Sequence, residues 1–308
     1  MTLREKLAAA LAQTHLPEPA RATLAKLFKS RSCISVIPHA DAGEVAKAAG
    51  IDERQLMLRL LPVAKEFAVT PVSNFHVGAV ARGMTGNLYF GANMEFTGLA
   101  LSFSTHAEQA ATVNAWVHGE SGLDQLAVNY APCGYCRQFL YELVTAKNLE
   151  VFLPHLPPEP LTNLLPHAFG PLDLNVQGGL MQHVTDDLEL DHRSKDPVIL
   201  VALSAARMSY APYSQGHAGI ALATRGGQIY TGPYAENAAY NPSMSPMEAA
   251  LAHLNLCGAT YEEIVRVVLV QARGSLASQV EVSELVLRAV TKVKLDVVYA
   301  HRKSQKVS

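Results

Sequence analysis

Long apolar runs are missing from this sequence. No stretch approaches the roughly 18 apolar residues of a membrane span, which excludes membrane-crossing helices. A surplus of one charge is missing too: 25 Lys and Arg face 27 Asp and Glu, for a formal charge of −2. A nucleic-acid binder shows a basic stripe. The one basic cluster here is His301-Arg302-Lys303 with Lys306, which reads as a solvated tail. Cysteine is scarce, with four in 308 residues, so no disulfide framework is expected. Cys33 and Cys257 stand alone and read as buried structural thiols. What remains is ordinary globular composition, 49% hydrophobic and 17% charged, long enough for about two domains. Met1 to Thr14 lacks a basic stretch followed by an apolar run. Its Leu3, Leu7, Ala10 and Leu11 recur at helical spacing, so it reads as an amphipathic helix rather than a signal peptide. A soluble, cytoplasmic protein is expected, with no membrane or nucleic-acid partner.

An internal repeat organises the chain. Ser73, Gly78, Gly86, Gly91 and Glu95 recur as Ser214, Gly219, Gly227, Gly232 and Glu236, each 141 residues on. His76 and His217 correspond as well. His106-Ala-Glu108 aligns with Pro246-Met-Glu248 at an offset of 140, after a one-residue deletion. Between the copies, Leu153 to Leu188 carries Pro154, Pro157, Pro158, Pro160, Pro166 and Pro171. Proline in that density excludes a regular helix or central strand and predicts a linker. The expected division is an N-terminal helical segment (1–50), a first domain (51–153), a Pro-rich linker (154–190) and a second, related domain (191–308).

Within the first copy the pattern is α/β. Asp52 to Phe67 has helical periodicity. Val77–Ala81 and Asn87–Phe90 read as a hairpin around Arg82-Gly-Met-Thr-Gly. Glu108–Trp116 reads as a helix, Leu126–Asn129 as a strand, Gln138–Ala146 as a helix and Glu150–Leu153 as a strand. This alternation predicts a sheet with helices on its faces.

Two fragments carry chemistry: Thr105-His106-Ala107-Glu108 and Pro132-Cys133-Gly134-Tyr135-Cys136. One imidazole and two thiolates supply three of the about four donors zinc requires, and a catalytic site keeps one position open for water. Ser104 and Thr105 are plausible helix caps before His106, and Pro132 sits where a helix start tolerates proline. The positive end of a helix favours thiolates. Glu108, two residues past His106, is free for general acid/base work. Two other readings stay open at this point. Cys133-Gly-Tyr-Cys136 also fits a dithiol redox motif, and His118 or His76 could complete a purely structural zinc site.

The two fragments together resemble the H-x-E and P-C-x-x-C signature of zinc nucleobase deaminases. Gly91-Ala-Asn93-Met94-Glu95-Phe96, Phe75 and Leu165-Pro-His-Ala-Phe-Gly-Pro171 extend the resemblance to the dimeric, two-domain bacterial and plant type of cytidine deaminase. It covers nearly the whole chain. The resemblance implies a three-layer α/β/α deaminase fold, duplicated in one chain behind the helical segment. It implies Zn2+ held by His106, Cys133 and Cys136, one ion per subunit of a homodimer, with Glu108 as proton shuttle. It further implies that Asn93 and Glu95 bind ribose hydroxyls with Met94 between them, that Phe75 stacks on the pyrimidine, and that the Ala107 backbone meets the base. Cytidine and 2'-deoxycytidine are the implied substrates. A deoxynucleotide, a nucleoside antibiotic or an RNA base remain alternatives. A phosphate-bearing substrate would need an Arg or Lys near Asn93-Met-Glu95, and none is adjacent. Phe169 has a weaker case as a wall over the substrate. The second copy has lost His106's counterpart to Pro246 and has no Cys-x-x-Cys. It reads as a retained scaffold whose Ala235 and neighbours lie near the partner subunit's site.

Overall fold

The computed structural model describes residues 2–31, 33–183 and 187–303. Lys306, part of the basic tail, lies outside them. Three helices open the chain: α1 (Leu3–Ala12), α2 (Glu18–Ser30) and, after a short strand β1 (Val36–Ile37), α3 (His39–Ala49). The first copy follows as α4 (Glu53–Ala64), β2 (Gly78–Gly83), β3 (Leu88–Ala92), α5 (Ala107–Val117), β4 (Leu123–Val128), α6 (Gly134–Tyr141) and β5 (Glu150–Phe152). Among the described residues the connector holds short pieces: β6 (Glu159–Pro160), the single-turn α7 (Leu161–Leu164), a 3-10 turn (Pro171–Leu174) and β7 (Leu188–Leu190). The second copy is α8 (Pro197–Met208), β8 (Ala218–Thr224), β9 (Ile229–Pro233), α9 (Pro246–Leu256), β10 (Ile264–Ala272), α10 (Val280–Val290) and β11 (Leu295–Arg302).

The duplication is visible in strand register. The sheets run β1-β3-β2-β4-β5-β6 and β7-β11-β10-β8-β9, so both contain the same four-strand core in the same order. Ala79 pairs with Gly91 in the first hairpin, and Ile220 with Gly232 in the second. β4 and β5 are parallel, as are β10 and β11, and the other pairings are antiparallel.

Two glycines in each copy establish the layers. Gly78 and Gly91 lie on opposite faces, because the residue paired with Gly91 is Ala79 and successive residues alternate sides. A Cβ on Gly78 would lie 2.5 Å from the Lys65 nitrogen at the end of α4. One on Gly91 would lie 2.2 Å from the Ala107 carbonyl oxygen in α5. The helices therefore cover opposite faces of the sheet. In the second copy Gly219 meets Ala206 of α8 at 2.2 Å, and Gly232 meets Ala250 of α9 at 2.2 Å. Each copy is thus helix, sheet, helix, and α5 packs on α9 between the two sheets.

A continuous apolar cluster runs from the N-terminal helices (Leu7, Leu24) through Leu56 and Phe90 to Leu251 and Val267. A smaller one, with Val268 and Val270, lies between the second sheet and α8. Alternation along β10 assigns Val267 and Leu269 to one and Val268 and Val270 to the other.

Several expectations need correction. Cys33 and Cys257 are joined by a disulfide across 224 residues, fastening the segment after α2 to the end of α9. Sequence spacing carries no information on that pairing. The sixth helix spans Gly134–Tyr141 rather than 138–146, since the chain turns to let Leu143 bridge to Leu180. Leu188–Leu190 of the connector pairs with β11 at the edge of the second sheet. His301 and Arg302 belong to β11 rather than to a solvated tail. Lys303 is ion-paired with Asp187 at 3.0 Å and Glu189 at 3.3 Å.

Candidate metal centre and active site

Two helix starts converge at the end of the first sheet. His106 is the N-cap of α5 and Cys133 the N-cap of α6, both with extended backbone, and Cys136 lies in the first turn of α6. The cap therefore falls on His106 itself, whose N–H donates to Gln109 Oε1 at 3.1 Å. Thr105, expected to cap, leaves its buried hydroxyl without a partner among the described residues. His106 Nδ1 lies 3.5 Å from Cys133 Sγ and 3.1 Å from Cys136 Sγ, and the two sulfurs are 3.7 Å apart.

The sulfur–sulfur and Cys133–His106 spacings match a metal site, and the Cys136–His106 spacing is shorter than one requires. Tetrahedral zinc with bonds near 2.3 Å to sulfur and 2.0–2.1 Å to nitrogen places sulfurs about 3.8 Å apart and sulfur about 3.6 Å from nitrogen. Among the described residues the cluster that can hold a metal contains these three donors alone; neither His76 nor His118 joins it. One tetrahedral position is left open, as in catalytic rather than structural sites. The contact with Cys136, against the effect of burial and with help from backbone N–H groups and His106, pushes Cys133 down to about 5, while the same contact and burial push Cys136 up.

Glu108, in the first turn of α5, is only 4% exposed. Burial raises its carboxyl above the ordinary range, although its own backbone N–H and neighbouring Cys136 and His106 pull the other way. It lies on the wall of a cavity of about 540 Å³ that also reaches His106 and Cys133.

Phe75, Asn93, Glu95 and Ala107 line the same cavity. Phe75 is half-exposed, its ring centroid 4.6 Å from that of Tyr130. Asn93 fixes the chain around it: Nδ2 donates to the Phe75 carbonyl at 2.8 Å, and Oδ1 accepts from Val77 N at 2.9 Å. Glu95 accepts from the backbone N–H groups of Val72 and Ser73 at 2.9 Å each, and from the Ser73 hydroxyl. Desolvation opposes ionisation there, but these bonds outweigh it and hold the carboxyl below its usual range. Met94 differs. Its side chain is fully buried and absent from the cavity wall, and its backbone exchanges hydrogen bonds with Thr105. Ala107, on the same wall, is also buried. Phe169 is outside the wall; its carbonyl accepts from Gln138 Nε2 at 2.7 Å. Among the described residues, no Arg or Lys lines the cavity.

Two contributors carried no motif signal. Tyr130 lies just past β4 and faces Phe75. Arg137, on α6, donates to the Pro132 carbonyl at 2.8 Å and the Leu164 carbonyl at 2.7 Å, pinning the loop that delivers Cys133. An aromatic after a strand was a visible cue for the first; the second depends on loop closure.

The second copy keeps the frame without the donors. Glu236 accepts from Tyr213 N, Ser214 N and the Ser214 hydroxyl, matching Glu95 bond for bond. Glu248 is explained locally. It forms a capping box with Ser245, whose N–H and hydroxyl both donate to it, and burial pushes its carboxyl up to about 7. Ala235 is wholly enclosed in its own chain, bridged to Tyr210 and Met244, so an outward contact falls to neighbours such as the exposed Tyr240.

Two family models, both described as the cytidine and deoxycytidylate deaminase zinc-binding region, match residues 51–151 and 161–284. A cytidine deaminase of Aeromonas salmonicida is 49% identical over 249 residues, covering 81% of this chain and 84% of that protein. A cytidine deaminase of Yersinia pestis is 43% identical over 275 residues, covering 89% of this chain and 93% of that protein. With a His-Cys-Cys cluster, an open fourth position, a buried carboxylate and a frame present twice, the chain belongs to the zinc-dependent cytidine and deoxycytidylate deaminase family.

Proposed function

We propose that the protein deaminates cytidine and 2'-deoxycytidine, yielding uridine or 2'-deoxyuridine and ammonia as a pyrimidine salvage step. The observation that carries this is the buried Glu108 beside three clustered donors, on the wall of a cavity large enough for a nucleoside and lined by no Arg or Lys among the described residues. His106, Cys133 and Cys136 hold the zinc. When bound, zinc supplies a water whose pKa falls from 15.7 toward about 7. Glu108 would take a proton from that water and carry it to N3 of the cytosine ring, which makes C4 electrophilic toward the oxygen left behind. Once that oxygen has added at C4, Glu108 would take its remaining proton and pass it to the amino group, so that ammonia leaves as the C4 carbonyl forms. Phe75 stacks on the base, the Ala107 backbone contacts it, and Asn93 and Glu95 take the ribose hydroxyls. Met94 serves this loop through its backbone alone.

The absence of lining Arg or Lys favours a nucleoside over a nucleotide. We assign the chain to a helical segment (1–50), a catalytic domain (51–153), a connector (154–190) that lends its end to the second sheet, and a degenerate domain (191–308). The enzyme acts in the cytoplasm as a homodimer, a symmetric arrangement common among soluble proteins. The test is a deamination panel of cytidine, deoxycytidine, cytosine, deoxycytidylate and adenosine, with a metal count. Turnover of the two nucleosides alone, at one zinc per chain, is the expected result. A fully zinc-loaded protein inactive on both would sink the reading.

A further inference from the structure

The metal-bearing helix α6 is gripped by the copy that has lost its metal. Tyr135, Gln138 and Glu142 recur at i, i+3 and i+7 and so share one face of α6 and its C-cap. All three bond to the second copy. Tyr135 Oη donates to the Asn241 carbonyl at 2.8 Å, and its ring lies 5.6 Å from that of His106. Asn237 Nδ2 donates to the Gln138 carbonyl at 2.9 Å. Glu142 accepts from Tyr210 Oη at 2.8 Å and Tyr213 Oη at 2.5 Å on one oxygen, and from Ala238 N at 2.8 Å on the other. On the opposite side, Cys136, Phe139 and Leu140 are buried in the first copy.

Glu142 is poorly placed by local rules. It is fully buried, and it caps the C-terminal end of α6, where the helix dipole disfavours negative charge. The donors that offset this, two tyrosine hydroxyls and one backbone N–H, come from the second copy. Residues 237–241 occupy the place of 96–100 in the first copy, on the approach to cavity-lining Leu101. A loop that borders the cavity in one copy has become a brace for the metal helix of the other.

We propose that the second copy is an intrachain clamp on α6 that fixes the spacing of Cys133 and Cys136 for zinc, with Glu142 as the positioning residue through which it acts. The proposal rests on reading those cysteines and His106 as the zinc donors. Residues bonded to metal ligands are worth about 10–100-fold in metal affinity. Glu142 acts one step further out, and an effect near the lower bound is expected.

The test uses purified full-length holoenzyme. Glu142→Gln removes the charge and leaves one acceptor oxygen where the carboxylate offers two. It should release zinc to a chromogenic chelator about tenfold faster. The ligand-field bands of the Co2+-substituted protein should shift. The kcat should fall while KM for cytidine stays within about twofold, since the nucleoside contacts lie on other elements. Val270→Ala, in the second sheet's core, serves as a control for lost stability alone. Should Glu142→Gln fail to fold, Tyr213→Phe removes one donor and should move zinc release and the Co2+ bands the same way, less far. Zinc release and Co2+ spectra indistinguishable from the Val270→Ala control, in whichever variant folds, would overturn the clamp. Cys136→Ala separates the two layers: loss of zinc there upholds the donor assignment even if the clamp fails, and zinc retained there overturns both.

Discussion

At the scale of single residues, the proposed chemistry depends on Glu108 and the reason it is buried. Its place in the first turn of α5, two residues inside the cap occupied by His106, ties carboxylate and imidazole to the same helix start. Glu108→Gln keeps the shape and removes the proton carrier. The expected outcome is a fall in kcat of about 10²–10⁴, with zinc still near one per chain by metal analysis. A non-catalytic zinc module would show no change in turnover. The counterpart Glu248 shows what the position does without metal: with Ser245 it caps a helix. Likewise Glu236 repeats every loop-bracing bond of Glu95, so bracing belongs to the fold, and any ribose contact is an added duty for Glu95.

At the scale of elements, the glycines that let helices approach the sheets make the sharpest prediction. Gly91→Ala and Gly232→Ala each drive a Cβ to 2.2 Å from helix backbone atoms, which cannot swing aside as a side chain would. Each should cost about 3 kcal/mol, read as a lowered urea midpoint, and the two losses should be similar because the contact is the same. A cost at Gly91 alone would show that the second copy packs less tightly than its geometry indicates. The disulfide makes a second prediction. Chelator-treated, denatured protein should titrate two thiols before reduction and four after it. Closing a loop of 224 residues should also make the oxidised form more stable by about 2–5 kcal/mol. Four thiols without reductant would show that Cys33 and Cys257 stay reduced.

At the scale of the whole molecule, the two copies meet where α5 packs on α9, and this interface contains titratable rings. The His253 ring lies 5.6 Å from that of His118 and 5.4 Å from that of Tyr230. Burial, with repulsion from His118, pushes His253 down from 6.5 to about 4. The sign follows from linkage. The unfolded chain takes up a proton near pH 6.5 and the folded one only near 4, so stability is full above 6.5 and falls as pH drops through that window. About 2 kcal/mol should be lost between pH 7.5 and 4, somewhat less than the full shift implies because the ring is not wholly enclosed. His253→Gln should flatten this dependence, measured as Tm against pH. Parallel curves for the two proteins would remove His253 as the cause.

The sequence by itself determined the duplication and the alternation of helices and strands, and it singled out the three candidate donors and Glu108. Each is written in short windows: glycines at a fixed offset, a His-x-Glu, a Pro-Cys-x-x-Cys, and apolar periods of two or 3.6. Tertiary structure alone decided that Cys33 meets Cys257, that the Met94 side chain faces the core, that the cap falls on His106 rather than Thr105, and that Glu142 is answered by Tyr210, Tyr213 and Ala238. The disulfide and the Glu142 bonds join residues about 70 to 220 positions apart, while the cap and Met94 turn on where backbone and side chain settle against their neighbours. No local pattern records which buried groups converge once two sheets and their helices pack. The metal site is therefore legible as three residues, and its support by the silent copy only as a fold.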